Sequence, residues 1–252
     1  KTDFNVSPYF DDFTEDKKFH RVMYRPAFAV QARELTTQQS ILQNQIEKLG
    51  DSMYKHGSMV IPGETTYDLN HFSIKLTSFT GTLANFTDTV ITGGTSGVTA
   101  TVKSVAATDG TDPDTLFVKY SNSGTDNVSA SFTDGETITS SASTGETAVV
   151  SSSHTGCAAF IDAGTYYING FFVEVDSQSL ILDKYTNTPD YRVGLTVTEN
   201  FITSTDDTSL LDNATGSSNA NATGAHRFKI TLTLAKLSLT STADGSFVET
   251  FR

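Results

Sequence analysis

Asn169-Gly170 stands between two β-rich arms, Gly164-Thr-Tyr-Tyr-Ile168 and Phe171-Phe-Val-Glu-Val175, and no other feature restricts the fold as much. A two-residue type I′ turn needs positive φ at both central positions, which Asn and Gly accept and most residues do not, so the pattern predicts an antiparallel hairpin. The composition points the same way. Charged residues make up only 18% of the 252, and Thr, Ser, Asn and Gly take their place. β-Branched Thr suits a half-exposed pleated surface, while Gly, Asn and Asp supply turns. Further strands are predicted at Met59-Val-Ile61, at His71-Phe-Ser-Ile-Lys-Leu76 with period two, at Leu180-Ile-Leu182, at Arg192-Val-Gly-Leu-Thr-Val-Thr198 and over 227–235.

Residues 79–153 form a Thr/Ser/Gly-rich block that repeats itself imperfectly. Phe86-Thr-Asp-Thr-Val-Ile-Thr92 resembles Phe132-Thr-Asp-Gly-Glu-Thr-Ile-Thr139, and Gly97-Val-Thr-Ala-Thr-Val102 resembles Gly145-Glu-Thr-Ala-Val-Val150. Two copies are too few for a solenoid. Two hairpins closing on each other, with Leu116-Phe-Val-Lys-Tyr120 between them, predict a small barrel or sandwich inserted into a parent fold. The parent then comprises residues 58–78 and 154–252.

One helix is expected, over residues 36–57, opened by a capping box in Thr36-x-x-Gln39 and closed by Gly57. Leu35, Leu42 and Leu49 fall seven apart, and Gln39, Ile46 and Met53 follow the same interval four positions later, the d and a spacing of a heptad seam. So narrow a stripe suits helix-on-helix packing, giving a coiled coil, although an amphipathic helix on its own chain would read alike. Gln39 would form a polar layer that fixes register. Before the helix, residues 1–35 read as an extended aromatic arm. Phe4, Tyr9, Phe10 and Phe13 lie in it with an acidic cluster and no strand or helix period, so these rings are expected to pack on a neighbouring surface or back on their own domain.

A formal charge of −12 repels phosphate backbones and anionic lipid, which argues against nucleic acid and membrane as partners. The lone Cys157 excludes an intrachain disulfide and any cysteine-based metal cluster. The five histidines have no metal-ligand spacing, and phosphate-cradling, dinucleotide and nucleophile-elbow motifs do not occur. Paired acids such as Asp11-Asp12 and Asp206-Asp207, and the loop of Asp109, Asp112 and Asp114, suit solvated turns better than glycosidase carboxylates or calcium. No apolar run reaches the ~20 residues of a membrane span. The chain opens on Lys1 and stops at Arg252 within a strand-like run, as expected of a piece of a longer product. The expectation is therefore a protein that is not an enzyme and uses no cofactor or metal.

Two stretches carry a resemblance. Asn5-Val-Ser-Pro-Tyr-Phe-Asp-Asp-Phe13 with residues 18–35 forms the first, and the second runs through Tyr191-Arg-Val-Gly-Leu-Thr-Val-Thr-Glu199, residues 209–219 and Gly224-Ala-His-Arg-Phe-Lys-Ile230. Both resemble a family of tailed-bacteriophage virion proteins common in marine and cyanobacterial phages. That resemblance implies a baseplate or tail-fibre attachment protein, located in the virion tail. It also implies a homotrimer that packs against other tail or baseplate proteins, and it brings no catalytic residues. A host-glycan-binding adhesin, using aromatics of the inserted block such as Phe117 and Tyr120, is the alternative. The residues expected at the assembly interface are Phe4, Tyr9, Phe10, Phe13, Leu35, Gln39, Leu42, Ile46, Leu49 and Met53.

Overall fold

A computed structural model of the chain describes residues 2–142 and 144–251. The fold is mainly β, with one long helix, α1 (Ala32–Met53), and among the described residues no helix is long and apolar enough to cross a membrane. The strands in chain order are β1 (Met59–Ile61), β2 (Thr65–Phe79), β3 (Val90–Gly93), β4 (Thr99–Ala106), β5 (Thr115–Asn122), β6 (Thr137–Ser140) and β7 (Thr147–Ile161). After them come β8 (Gly164–Ile168), β9 (Phe171–Val175), β10 (Gln178–Asp183), β11 (Tyr191–Ile202), β12 (Arg227–Ser238) and β13 (Phe247–Phe251).

Six strands close into a barrel in the order β7-β2-β5-β4-β3-β6, with β6 pairing back onto β7 and every pair antiparallel. Closure leaves none of these six with a free edge inside the ring. The interior is apolar, filled by Ile74, Phe86, Ile91, Val102, Leu116, Ile138 and Val150 among others. Hydrogen bonds recur at the spacing of the sequence repeat. Gly93 N–H donates to Val98 O at 2.9 Å and Ser140 N–H to Glu146 O at 2.8 Å, while Asp88 N–H donates to Val102 O at 2.9 Å and Gly135 N–H to Val150 O at 2.8 Å. Across the β3–β6 seam Gly94 N–H meets Thr137 O and Ser141 N–H meets Val90 O, a reciprocal pair that marks a pseudo-two-fold axis. Gly97 and Gly145, at φ 67° and 64°, turn the two hairpins alike.

The barrel does not begin and end at residues 79 and 153. It uses β2 from about Phe72 and β7 to about Thr155, and both strands then continue outward, where Thr65 to Asp68 pair with Ala158 to Ile161. The composition shift seen in the sequence marks the loops, whereas the strands pass through both bodies without interruption. In the second body, β10 extends this ribbon, and two three-stranded sheets, β1-β8-β9 and β12-β11-β13, pack around a core that includes Ile161, Tyr166, Ile168, Leu195 and Leu234. The predicted Asn169-Gly170 turn joins β8 to β9 with φ of 50° and 90°.

Helix α1 starts four residues earlier than expected. Gln31 N–H donates to Glu34 Oε2 at 2.9 Å, supplying the cap assigned to Thr36 and Gln39, and the Thr36 hydroxyl donates within the helix to Arg33 O. At the far end Tyr54 turns extended, and Gly57, at φ 84°, donates its N–H to Tyr167 O at 2.8 Å.

Candidate assembly surface

Gly50 sets how α1 meets the sheet. A β-carbon there would lie 2.5 Å from Cε2 of Tyr167, a residue 1% exposed on β8. Without one, the backbone reaches the ring, and the Tyr167 hydroxyl donates to Glu47 O at 2.9 Å and Asp51 Oδ1 at 2.7 Å. Burial, reinforced by the Asp51 and Glu47 carboxylates, pushes that phenol up to about 12.

Apart from Ile41, which is 3% exposed, the rest of the inward face is polar. The buried Asp11 carboxylate accepts from the Thr37 hydroxyl at 3.0 Å and from the Ser40 hydroxyl. Asn44 Nδ2 donates to Glu15 Oε1, and Gln43 Nε2 donates to Gly170 O at 2.7 Å. Glu15 also pairs with Lys48 at 3.1 Å.

The apolar face looks outward. Leu35, Leu42, Ile46, Leu49 and Met53 are 46–62% exposed, and Gln39 is exposed among them. At ~100° per residue these side chains cluster roughly 150° around the helix from the Ser40–Asn44–Glu47 side. A helix folded for its own domain buries its apolar stripe and solvates its polar one. Here the arrangement is reversed.

The arm divides into two parts. Phe4 sits edge-on to Phe201 and Phe228 at 5.9 and 4.9 Å, and Tyr9 stacks on Phe201 at 4.9 Å with its hydroxyl 2.7 Å from His226 Nδ1. The Thr2 hydroxyl and Asn169 Nδ2 donate to Glu199. Burial alone would raise the Glu199 carboxyl, but these bonds hold it below its ordinary value. Phe4 and Tyr9 thus cover the far end of the β11–β12 hairpin, whose own rings at 201 and 228 lack cover from a third strand, and Phe13 is half-buried nearby. These three rings pack within their own chain, while Phe10 stays exposed.

From Glu15 to Arg33 only Val22 is half-buried, and every other residue is exposed. Phe19, Met23, Tyr24, Phe28 and Val30 are among them. The segment is held to α1 by Glu15, through Asn44 and Lys48, and by Tyr24 Oη donating to Gln38 Oε1 at 2.7 Å, while within it Arg25 lies 4.0 Å over the Phe28 ring.

Between the arm, α1 and the β11–β12 hairpin lies a half-open cavity of about 380 Å³. Phe4, Tyr9, Phe13, Phe171, Phe201 and Phe228 line it, with the carboxylates of Asp11, Glu15 and Glu47 and one guanidinium, Arg227. No motif or spacing points to it directly. The short polar side chains at positions 37, 40 and 44 were the available signal, since small hydrogen-bonding groups at that spacing suit a close-packed face better than a solvated one.

Other candidates resolve into packing. Phe117 is fully buried and stacks on His71 at 5.3 Å, and Tyr120 packs between Phe72 and Phe132, so neither offers an open ring to a glycan. Asp109 and Asp112 hold the Lys184 ammonium at 3.1 and 2.9 Å, and the Asp112 N–H, then Lys184, keep the Asp109 carboxyl down at about 2. Asp206 and Asp207 bond their own turns. Among the described residues no group of three His, Cys, Asp or Glu could hold a metal. Cys157 is buried, and burial pushes its thiol up.

A family model described as Domain of unknown function (DUF4815) matches residues 7–131 and 119–252, the two spans overlapping at β5 and the loop after it. No curated protein and no solved structure matches the chain.

Proposed function

We propose, from the premise that the chain belongs to the family described as Domain of unknown function (DUF4815), that it is a non-catalytic structural protein of a phage tail, part of the baseplate or a fibre-docking element. It joins copies of itself, as a coiled-coil trimer, and neighbouring tail proteins through α1. The phage setting rests on the resemblance of residues 5–35 and 191–230. The observation that carries the assembly role is the reversed helix, with Leu35, Leu42, Ile46, Leu49 and Met53 outward and Ser40, Asn44 and Asp11 inward.

Magnitudes favour more than one contact. Fully burying a Leu, Ile or Met contributes ~1.5–3 kcal/mol, so covering five half-exposed ones contributes about 5 kcal/mol per helix. Bringing two copies together costs roughly 4–15 kcal/mol in lost freedom and ordering. The seam alone is therefore marginal, and further surface must join it. Core residue type does not dictate strand number in so short a seam, where one a layer is Gln39 and another Met53.

Mass measured by light scattering over a dilution series tests the assembly role. Wild type is expected to self-associate and L42D/I46D to be a folded monomer, and a wild-type monomer at micromolar concentration would refute the seam. Immunogold labelling of particles tests the location: a chain absent from purified tails would refute the virion assignment.

A further inference from the structure

Residues 17–33 contain Lys17, Lys18, Arg21, Arg25 and Arg33 and no acidic residue, while the whole chain carries −12, leaving −17 on the remainder. The segment is strongly basic, and every residue in it but Val22 is exposed. Its apolar groups Phe19, Met23 and Phe28 are turned to solvent beside those cations. Lys17 and Arg33 lie against Asp12 at 3.9 and 3.5 Å. Lys18, Arg21 and Arg25 have no such carboxylate partner among the ion pairs of the described residues. On the same chain, the cavity beneath α1 has the opposite character, with aromatic walls and the carboxylates of Asp11, Glu15 and Glu47 against the Arg227 guanidinium and the Lys48 ammonium, which pairs with Glu15 at 3.1 Å. A ring of aromatic faces with nearby carboxylates attracts cations and flat apolar groups alike.

The two features flank the seam on opposite sides. With Gln39, Ile46 and Met53 at a and the leucines at d, Thr36, Gln43 and Gly50 fall at e, and the first two line the cavity. Gln38 falls at g and Ile41 at c, and these, with Leu42, meet His20, Arg21 and Tyr24 of the arm across a second, smaller hollow. In parallel helices related by rotation about a common axis, the g flank of one faces the e flank of the next. Copies joined by the seam therefore present arm to cavity.

Building on the seam reading above, we propose that the cavity on the e flank of α1 is the docking site for the basic-aromatic segment 17–30 of a second copy of this chain. Arg21 or Arg25 enters among the rings near Asp11, Glu15 and Glu47, and Met23 or Phe28 covers the apolar rim. The charge complementarity selects this occupant over an acidic partner. Each copy both gives and receives an arm, so the contact closes around the axis and adds to the marginal seam.

Mixed single-cysteine chains test the contact directly, because the native Cys157 is buried. M23C mixed with T36C under mild oxidation is expected to give a double-mass product that neither variant gives alone. R21E/R25E, whose substituted side chains are exposed and leave the fold intact, is expected to weaken association at least tenfold and to remove its salt dependence. If the wild type associates but the mixture does not cross-link and R21E/R25E associates normally, arm docking is refuted and the seam stands. If the wild type stays monomeric, both are refuted. If R21E/R25E associates normally but loses binding to anionic vesicles or DNA that the wild type captures, the segment serves an anionic surface and the docking proposal is likewise overturned.

Discussion

Gly50→Ala separates two opposed effects at one atom. Alanine favours a helix interior over glycine by about 1 kcal/mol, so a helix resting loosely on its domain would gain by the change. In this structure the new methyl would enter the Tyr167 ring, 2.5 Å from Cε2, 2.7 Å from Cζ and 2.7 Å from the hydroxyl oxygen. The ring cannot swing aside cheaply, because it is buried and its hydroxyl is fixed to Glu47 O and Asp51 Oδ1. Overpacking a core costs ~1–3 kcal/mol, and loosening a buried hydroxyl from its acceptors adds ~1–3 kcal/mol. After the propensity gain is subtracted, the variant should be destabilised by about 2 kcal/mol, lowering the urea midpoint by roughly 0.7 M at a slope near 3 kcal/mol per M. The measurement belongs in the L42D/I46D background, where self-association cannot add stability by mass action. A higher midpoint in G50A would show that α1 is not seated on Tyr167, and the outward orientation of its leucines would lose its anchor.

Three other outcomes are expected. The Glu136 carboxylate accepts from the N–H groups of Thr95, Ser96 and Thr133 and from the Ser96 hydroxyl. Burial would raise it, but these bonds hold it below its ordinary 4.5, so its stabilisation is present above that pH and lost as pH falls through the depressed value. Melting temperatures of wild type and E136Q should therefore converge in acid, and a constant gap would refute the account. Tyr167 has the opposite sign. With the folded phenol near 12 and the unfolded one near 10, its contribution is complete below pH 10 and fades from there toward 12, and Y167F should lack that alkaline loss in unfolding curves. Finally, trypsin should cut after Lys18 and Arg21, which are exposed and not followed by proline, rapidly in monomeric L42D/I46D and slowly in the associated wild type; equal rates would mean that assembly leaves the arm uncovered.

The β architecture was legible where chemistry acts locally. Asn169-Gly170 specifies its turn through two positive φ values, and the alternation at 71–76, 116–120 and 192–198 falls inside β2, β5 and β11. The repeat around Phe86 and Phe132 was visible because both rings, with Ile91 and Ile138 and with Val102 and Val150, fill the same barrel interior. The orientation of α1 was not legible. Heptad spacing identifies an apolar stripe without saying whether it faces a domain or solvent, and that depends on Gly50, Ser40 and Asn44 meeting partners more than 25 residues away in sequence. For the same reason Asp11 read as one of a solvated acidic pair, although it is a buried acceptor for two helix hydroxyls.

The uninterrupted run of β2 and β7 through both bodies has a mechanical consequence. Tension between barrel and base is carried along two covalent backbones side by side, laced by antiparallel hydrogen bonds from Thr65–Ile161 to Phe79–Ala148. Such a tether does not unzip one bond at a time, and under load it yields by flexing where its register slips between the two bodies, at Asp68/His71. The barrel is thus free to tilt yet hard to tear off, like a buoy on a short double mooring.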